Sequence, residues 1–236
     1  MIKRGVLLTI MILLAVNILF LAGGCAGKCP RRTAGADVIK VGALFNLTGA
    51  QSSLDVPGLN GFQLAAREIN KSGGLLGRKI EVVAMDGKTD QKTCGESASR
   101  LIEVDKVVAV CGLADSNYAL AAGSVTQNAG VLFLTSGATL PTLPDLVGDY
   151  FFLVPFGDDS QAYAAADFSI EEIKAASAWM LTDEAMDFTK TLSGFYRERF
   201  EIKGGKVILE DVFQTPDVDF SAQIERLSKL NPPPQV

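Results

Sequence analysis

The chain contains no histidine among its 236 residues. That absence removes Ser-His and Cys-His nucleophile pairs, imidazole general bases and most zinc sites together. Carboxylates and lysines remain, so the commonest catalytic chemistry is excluded rather than all of it. Basic runs interleaved with aromatics are also missing, and the formal net charge is −5, so nucleic acid is not an expected partner. Blocks of a single charge sign do not occur, and apolar residues make up 48% of the chain, which is a globular composition. Residues 46–62, NLTGAQSSLDVPGLNGF, hold neither G-x-G-x-x-G nor G-x-x-x-x-G-K-[ST]. A nucleotide site is therefore disfavoured, and no cofactor or metal is expected.

What is present begins at the N-terminus. Lys3 and Arg4 precede an uncharged run, GVLLTIMILLAVNILFLA, which ends at Gly23-Gly24-Cys25. A positive start, an apolar stretch and small residues before a cut site form an export signal over residues 1–25. The ending resembles the lipobox of bacterial lipoproteins, with Cys25 as the lipidated residue, although Ala22 is less usual than Leu at its position. The alternative is an uncleaved anchor, for which the run is barely long enough. Either way the folded part lies outside the cytoplasm, held at a membrane. Residues 26–37, AGKCPRRTAGAD, read as a tether that carries Cys29.

A regular alternation follows. Ile39–Phe45, Ile80–Met85, Val107–Cys111 and Val131–Leu134 are apolar, β-branched runs that predict strands. Between them, Leu59, Phe62, Ala65, Ala66 and Ile69 recur at helical spacing before Gly73-Gly74, and Ala98, Leu101 and Ile102 mark a second helix. Ala119–Asn128 predicts a third. Greasy strands separated by amphipathic helices imply an α/β fold with a parallel sheet covered on both faces. The rhythm breaks at DLVGDYFFLVPFGDD, where a crossing between two domains is expected, at 38–155 and 156–236. It then resumes with helices near 161–175, 188–200 and 220–230 and strands near 178–182 and 206–213. The chain stops at NPPPQV, where a further strand is due, so a fragment or early-terminated copy of a longer protein is expected.

In open parallel sheets ligands sit beyond the carboxyl ends of the strands. Four stretches rich in small and hydroxyl residues converge there: Asn46–Ser53, Asp86–Asp90, Gly112–Asn117 and Thr135–Thr139. Free amides and short hydroxyls at such an edge suit a carboxylate or similar anion. Read singly, Ser116 and Thr139 are equally ordinary helix caps. Cys94 and Cys111 lie toward this same edge, and export would supply an oxidant, so a disulfide is expected; two buried small apolar residues are the alternative.

The order IKVGALFNLTG, NGFQLAAREINKSGGLLGRKIEVV, RLIEVDKVVAVCG and AGVLFLTSGAT resembles the substrate-binding lipoproteins of branched-chain amino acid ABC transporters. MDFTKTLSGFYRERFEIKGGKVILEDVF and VDFSAQIERLSKL also look like that family's second domain. The resemblance implies a type I periplasmic-binding-protein fold of two lobes, the second incomplete here. It implies a small solute, an amino acid or similar, closed between the lobes and delivered to a membrane permease without chemistry. Carried over by position, it assigns ligand contacts to Asp115, Ser116, Ser136, Gly137 and Thr139, with Phe188 as a covering aromatic. Leu54 stands at a place often held by an aromatic near the ligand. Asp115 departs from the family's common serine, and a carboxylate there would repel an anion but could receive an ammonium. Thr189 replaces a common glycine. Rival readings are a ligand-sensing receptor module of the same fold and a secreted enzyme built on carboxylates such as Asp86 or Asp183.

Overall fold

The computed structural model describes residues 38–236, which form one compact unit containing two separate sheets. The expectations for residues 1–37, including the signal, Cys25, the tether and Cys29, lie outside the described residues. No helix among the described residues is long and apolar enough to cross a membrane.

The larger sheet has five strands in the order β2-β1-β3-β4-β5, and every pairing is parallel. The strands are β1 (Val38–Phe45), β2 (Lys79–Asp86), β3 (Ala109–Gly112), β4 (Leu132–Thr135) and β5 (Phe151–Leu153). Period-two alternation sorts their side chains onto two faces. Leu44, Val110 and Phe133 point to one face and meet Ala98 and Leu101 of α2 (Gln91–Glu103) and Ala119 and Ala122 of α3 (Ser116–Asn128). Phe133 stacks on Phe151 with centroids 5.3 Å apart. Ala43 and Phe45 point the other way, against Leu59 and Phe62 of α1 (Ser52–Lys71). A short helix, α4 (Leu143–Val147), escaped the periodicity reading because five residues give too little pattern. Its Leu143 completes the first face.

The second sheet pairs β6 (Ser177–Asp183) with β7 (Lys206–Phe213), again in parallel. Around it lie α5 (Asp158–Glu171), α6 (Asp187–Ile202) and α7 (Ser221–Ser228). Its core is small: Ala166, Ala175, Ala178 and Phe200, with Tyr196 stacked on Phe200 at 5.4 Å. Gln235 and Val236 lie along β6, since the Trp179 amide donates to the Val236 carbonyl at 2.8 Å and the Gln235 amide to Ser177 at 3.0 Å.

Buried carboxylates fasten the carboxyl edge of the large sheet. Asp55, 1% exposed in the first turn of α1, accepts the Asn46 amide at 2.7 Å and the Ala114 amide at 3.0 Å. It thus ties the loop after β1 to the loop after β3. Burial pushes its carboxyl above the usual range despite those donors. Asp86 accepts the Leu47 and Lys88 amides and the Thr48 hydroxyl, each at 2.8 Å. Burial alone would push that carboxyl up, but the hydrogen bonds outweigh it and hold it low. Gly112 ends β3 at φ +138, where a Cβ would stand 1.7 Å from the Leu44 carbonyl oxygen, so only glycine makes this turn.

The expected disulfide is not formed. Cys94 and Cys111 are free thiols. Cys111 aligns with Ala43 of β1 and so shares the α1 face, whereas Cys94 packs in the cluster on the opposite face beside Asn46 and Gly87. Sharing an edge was not enough, because the sheet stands between the two sulfurs.

Burial, with the nearby charges of Asp55, Asp90 and Asp86, pushes the Cys94 thiol up to about 12, and burial pushes Cys111 up to about 11. Both are expected to resist alkylation in the folded chain and to alkylate fully in urea without reductant. A linked 94–111 peptide in the mass spectrum would overturn this placement. Asp55→Ala strands two amides and is expected to cost about 2–4 kcal/mol, read as a lower urea midpoint at unchanged m. The low Asp86 value carries the opposite pH sign from a raised carboxyl. Its contribution is complete above the unfolded pKa of about 3.9 and is lost as pH falls through the lower folded value. Asp86→Asn is therefore expected to flatten the acid limb of a stability-versus-pH curve below about pH 4.

Candidate ligand-binding site

A cavity of about 290 Å³ opens where the carboxyl ends of the two sheets approach each other. From the large sheet, Gln51 and Leu54 come from the start of α1, Ala114, Asp115 and Ser116 from the turn after β3, and Gly137 and Thr139 from the loop after β4. From the other side come Gln161 in the first turns of α5 and Met186 and Phe188 at the start of α6. Parallel pairing sends every one of these turns to the same edge, which is why residues far apart in sequence meet.

Six of the seven expected ligand residues line this cavity: Leu54, Asp115, Ser116, Gly137, Thr139 and Phe188. Ser136 does not. It is exposed and lines a separate apolar hollow of about 230 Å³ with Phe45, Phe62, Cys111 and Val154, on the α1 side of the sheet. The same alternation that separates the cysteines turns Ser136 away. Its neighbour Thr135 is wholly buried and structural, since its hydroxyl donates to the Leu113 carbonyl at 2.6 Å and accepts the Ala138 amide at 3.1 Å. The stretch after β2 stays out of the cavity as well; Asp86 and Thr89 are spent bracing the loop after β1.

The polar groups on the wall differ in how committed they are. The Ser116 hydroxyl oxygen accepts the Leu140 amide at 3.3 Å. Asp115, 8% exposed, caps α3 by accepting the Asn117 amide at 2.9 Å, and its second oxygen has only the Gln51 side-chain amide at 3.5 Å. Burial pushes its carboxyl up, the Asn117 and Tyr118 amides offset part of this, and nearby Asp187 adds to it. The amides of Gly137 and Thr139 donate to no other described residue. Behind Thr139, Asp158 is fully buried, with neither carboxyl oxygen in good hydrogen-bond geometry, and its amide donates to the Thr139 carbonyl at 2.9 Å. Burial pushes this carboxyl up as well.

Asp183, one of two carboxylates considered for catalysis, accepts the Ala185 amide at 2.8 Å and both the amide and hydroxyl of Thr215. Like Asp86, it is a loop brace. No group of three or more metal-ligating side chains occurs among the described residues. Gln51 and Ala114 fall within the flagged stretches without having been singled out, and sequence reading missed Gln161 and Met186. The signal for Gln161 was available, since the Gly157-Asp158 start of α5 is a helix N-terminus after a strand, the same rule applied on the large sheet.

The Periplasmic binding protein family model matches residues 38–233. An amino acid binding protein of Pseudomonas aeruginosa is 29% identical over 192 residues, covering 81% of this chain and 51% of the relative. Among solved structures, the branched-chain amino acid transporter substrate binding protein LivJ of Streptococcus pneumoniae, in complex with isoleucine, superposes with a TM-score of 0.77 at 30% identity. It covers 82% of this chain and 54% of that one. The leucine binding protein LivK of Thermotoga maritima gives a TM-score of 0.74 at 27% identity, with 82% and 54% covered. The chain thus spans about half the length of the relatives it matches. With its parallel sheets and its cavity at their carboxyl ends, the chain belongs to the periplasmic binding protein family.

Proposed function

We propose that this chain is the solute-binding component of an ABC importer, taking an amino acid or a similar small polar solute between two lobes and presenting it to a membrane permease. The two sheets correspond to those lobes, divided near residue 155. One observation carries the reading: a cavity bounded by both sheets holds unengaged backbone amides at Gly137 and Thr139 and an apolar wall of Leu54, Met186 and Phe188. Amides of that kind orient a carboxylate, and the wall selects an aliphatic side chain. The isoleucine seated in the pneumococcal relative supports a branched-chain solute. The apolar N-terminal run that ends at Cys25 supports export and a lipid anchor, which would keep the binding part outside the cytoplasm beside its permease.

A binder returns its solute unchanged, and closure of the second lobe over the first sequesters it. Titration calorimetry of the full chain against the common amino acids is expected to give heat with an aliphatic one. Phe188→Ala is expected to weaken that binding about tenfold, the loss of roughly half an aromatic side chain's burial, with an unchanged circular dichroism spectrum. Absence of heat with every amino acid tested overturns the reading.

A further inference from the structure

The charge on the cavity wall has one sign. Asp115 is the ionisable residue among those lining it, Lys and Arg are absent from that lining, and the chain has no histidine. Asp187 lies near enough to affect Asp115 and pairs with Lys190 at 2.6 Å, outside the lining.

The position of the Asp115 carboxylate matters more than its charge alone. A helix N-terminus attracts anions, and α3 starts at this wall. Asp115 fills that attraction itself, because one of its oxygens accepts the Asn117 amide. A ligand carboxylate at this point would meet a buried negative charge instead of a free helix end. The other Asp115 oxygen holds only the long contact to Gln51, so it retains capacity for a donor. The unengaged Gly137 and Thr139 amides lie on a different segment of the same wall.

We propose that the cleft recognises its solute through a cationic nitrogen held by Asp115, and that this ammonium contact outweighs the carboxylate contact in setting which solutes enter. The inference rests on the solute-binding reading and deepens it. A protonated amine restores to Asp115 the charge balance that burial denies it, and charge-assisted hydrogen bonds of this kind are the strong ones. A simple carboxylate of the same shape gains the two loop amides but leaves Asp115 facing a like charge.

Three probes with one aliphatic skeleton separate the contributions: L-leucine, 3-methylbutylamine, which lacks the carboxylate, and 4-methylpentanoate, which lacks the amine. Titrated into the full chain at neutral pH, leucine and the amine are expected to bind. The acid is expected to bind about 10- to 100-fold more weakly than leucine. Asn also caps helices, so Asp115→Asn should fold, weaken leucine and the amine by about the same factor, and improve the acid. The inference is overturned if the acid binds as well as leucine, if the amine does not bind, or if Asp115→Asn leaves leucine unchanged. The wild-type comparison decides the matter even if the variant fails to fold. Binding of the acid alone sinks the inference and leaves a solute-binding protein; silence from these probes and from every amino acid sinks both.

Discussion

Strand ends in a parallel sheet all face one way, and beyond them the backbone amides of the connecting turns lose their ladder partners. Whatever supplies acceptors at that edge decides whether the turns are ordered or loose. Here the supply comes from two aspartates, Asp55 and Asp86, which between them accept four backbone amides and one hydroxyl from the loops after β1, β2 and β3. Because those turns are fixed, Gln51, Ala114 and Asp115 can form one wall. The two carboxylates do this at different electrostatic cost. Asp55 is buried beneath the loops and its carboxyl is raised, whereas Asp86 is nearer solvent and its donors prevail.

The acids of this chain therefore fall into distinct physical roles despite sharing one side chain. Asp183 and Asp211 repeat the bracing pattern in the second sheet, where Asp211 accepts the Trp179 indole at 2.9 Å and Arg226 at 2.6 Å. Asp167 sits near the surface, and hydrogen bonds from Arg199 and Lys203 hold its carboxyl well below the usual range. Asp115 is the acid that lines the cavity, is nearly buried and keeps an oxygen with spare capacity. Asp86 and Asp183 differ from Asp115 in place: their hydrogen bonds brace loops, and neither lines the cavity.

Much of this was readable in the residues. Apolar, β-branched runs marked all four strands that carry the large sheet's turns, and the convergence of three of the four flagged stretches on one cavity follows from parallel topology. The Cys94–Cys111 bridge was placed by edge, without asking which face each side chain takes, whereas Ser136 was carried over by position from the family resemblance. Parity along β3 and β4 settles the face: Cys111 lies opposite Ala43 and Leu134 in register, on the α1 side. The start of α1 was hidden for another reason. The recurring apolar residues mark the helix only from Leu59, yet it begins at Ser52 and accommodates Pro57 inside it. Asp55 could not be found at all from local pattern, since its partners lie 9 and 59 residues away.

The two sides of the cavity are unequal in a way that bears on how a solute would be held. The large-sheet wall is built on a continuous core and on braced turns, so its groups are in place before any ligand arrives. The opposing wall comes from a two-stranded sheet with a four-residue buried cluster, and Met186 and Phe188 sit at the start of a helix that has no side-chain cap. Preorganised groups lower the entropy lost on binding, whereas a loosely fixed wall gains order when a guest bridges it. A charged contact at Asp115, as proposed, would thus fall on the side with braced turns, and apolar contacts at Met186 and Phe188 on the side with the smaller core. Such a division lets one fold keep a fixed electrostatic requirement while tolerating variation in the side chain of the solute, because apolar walls discriminate shape by only about 1–3 kcal/mol per methylene.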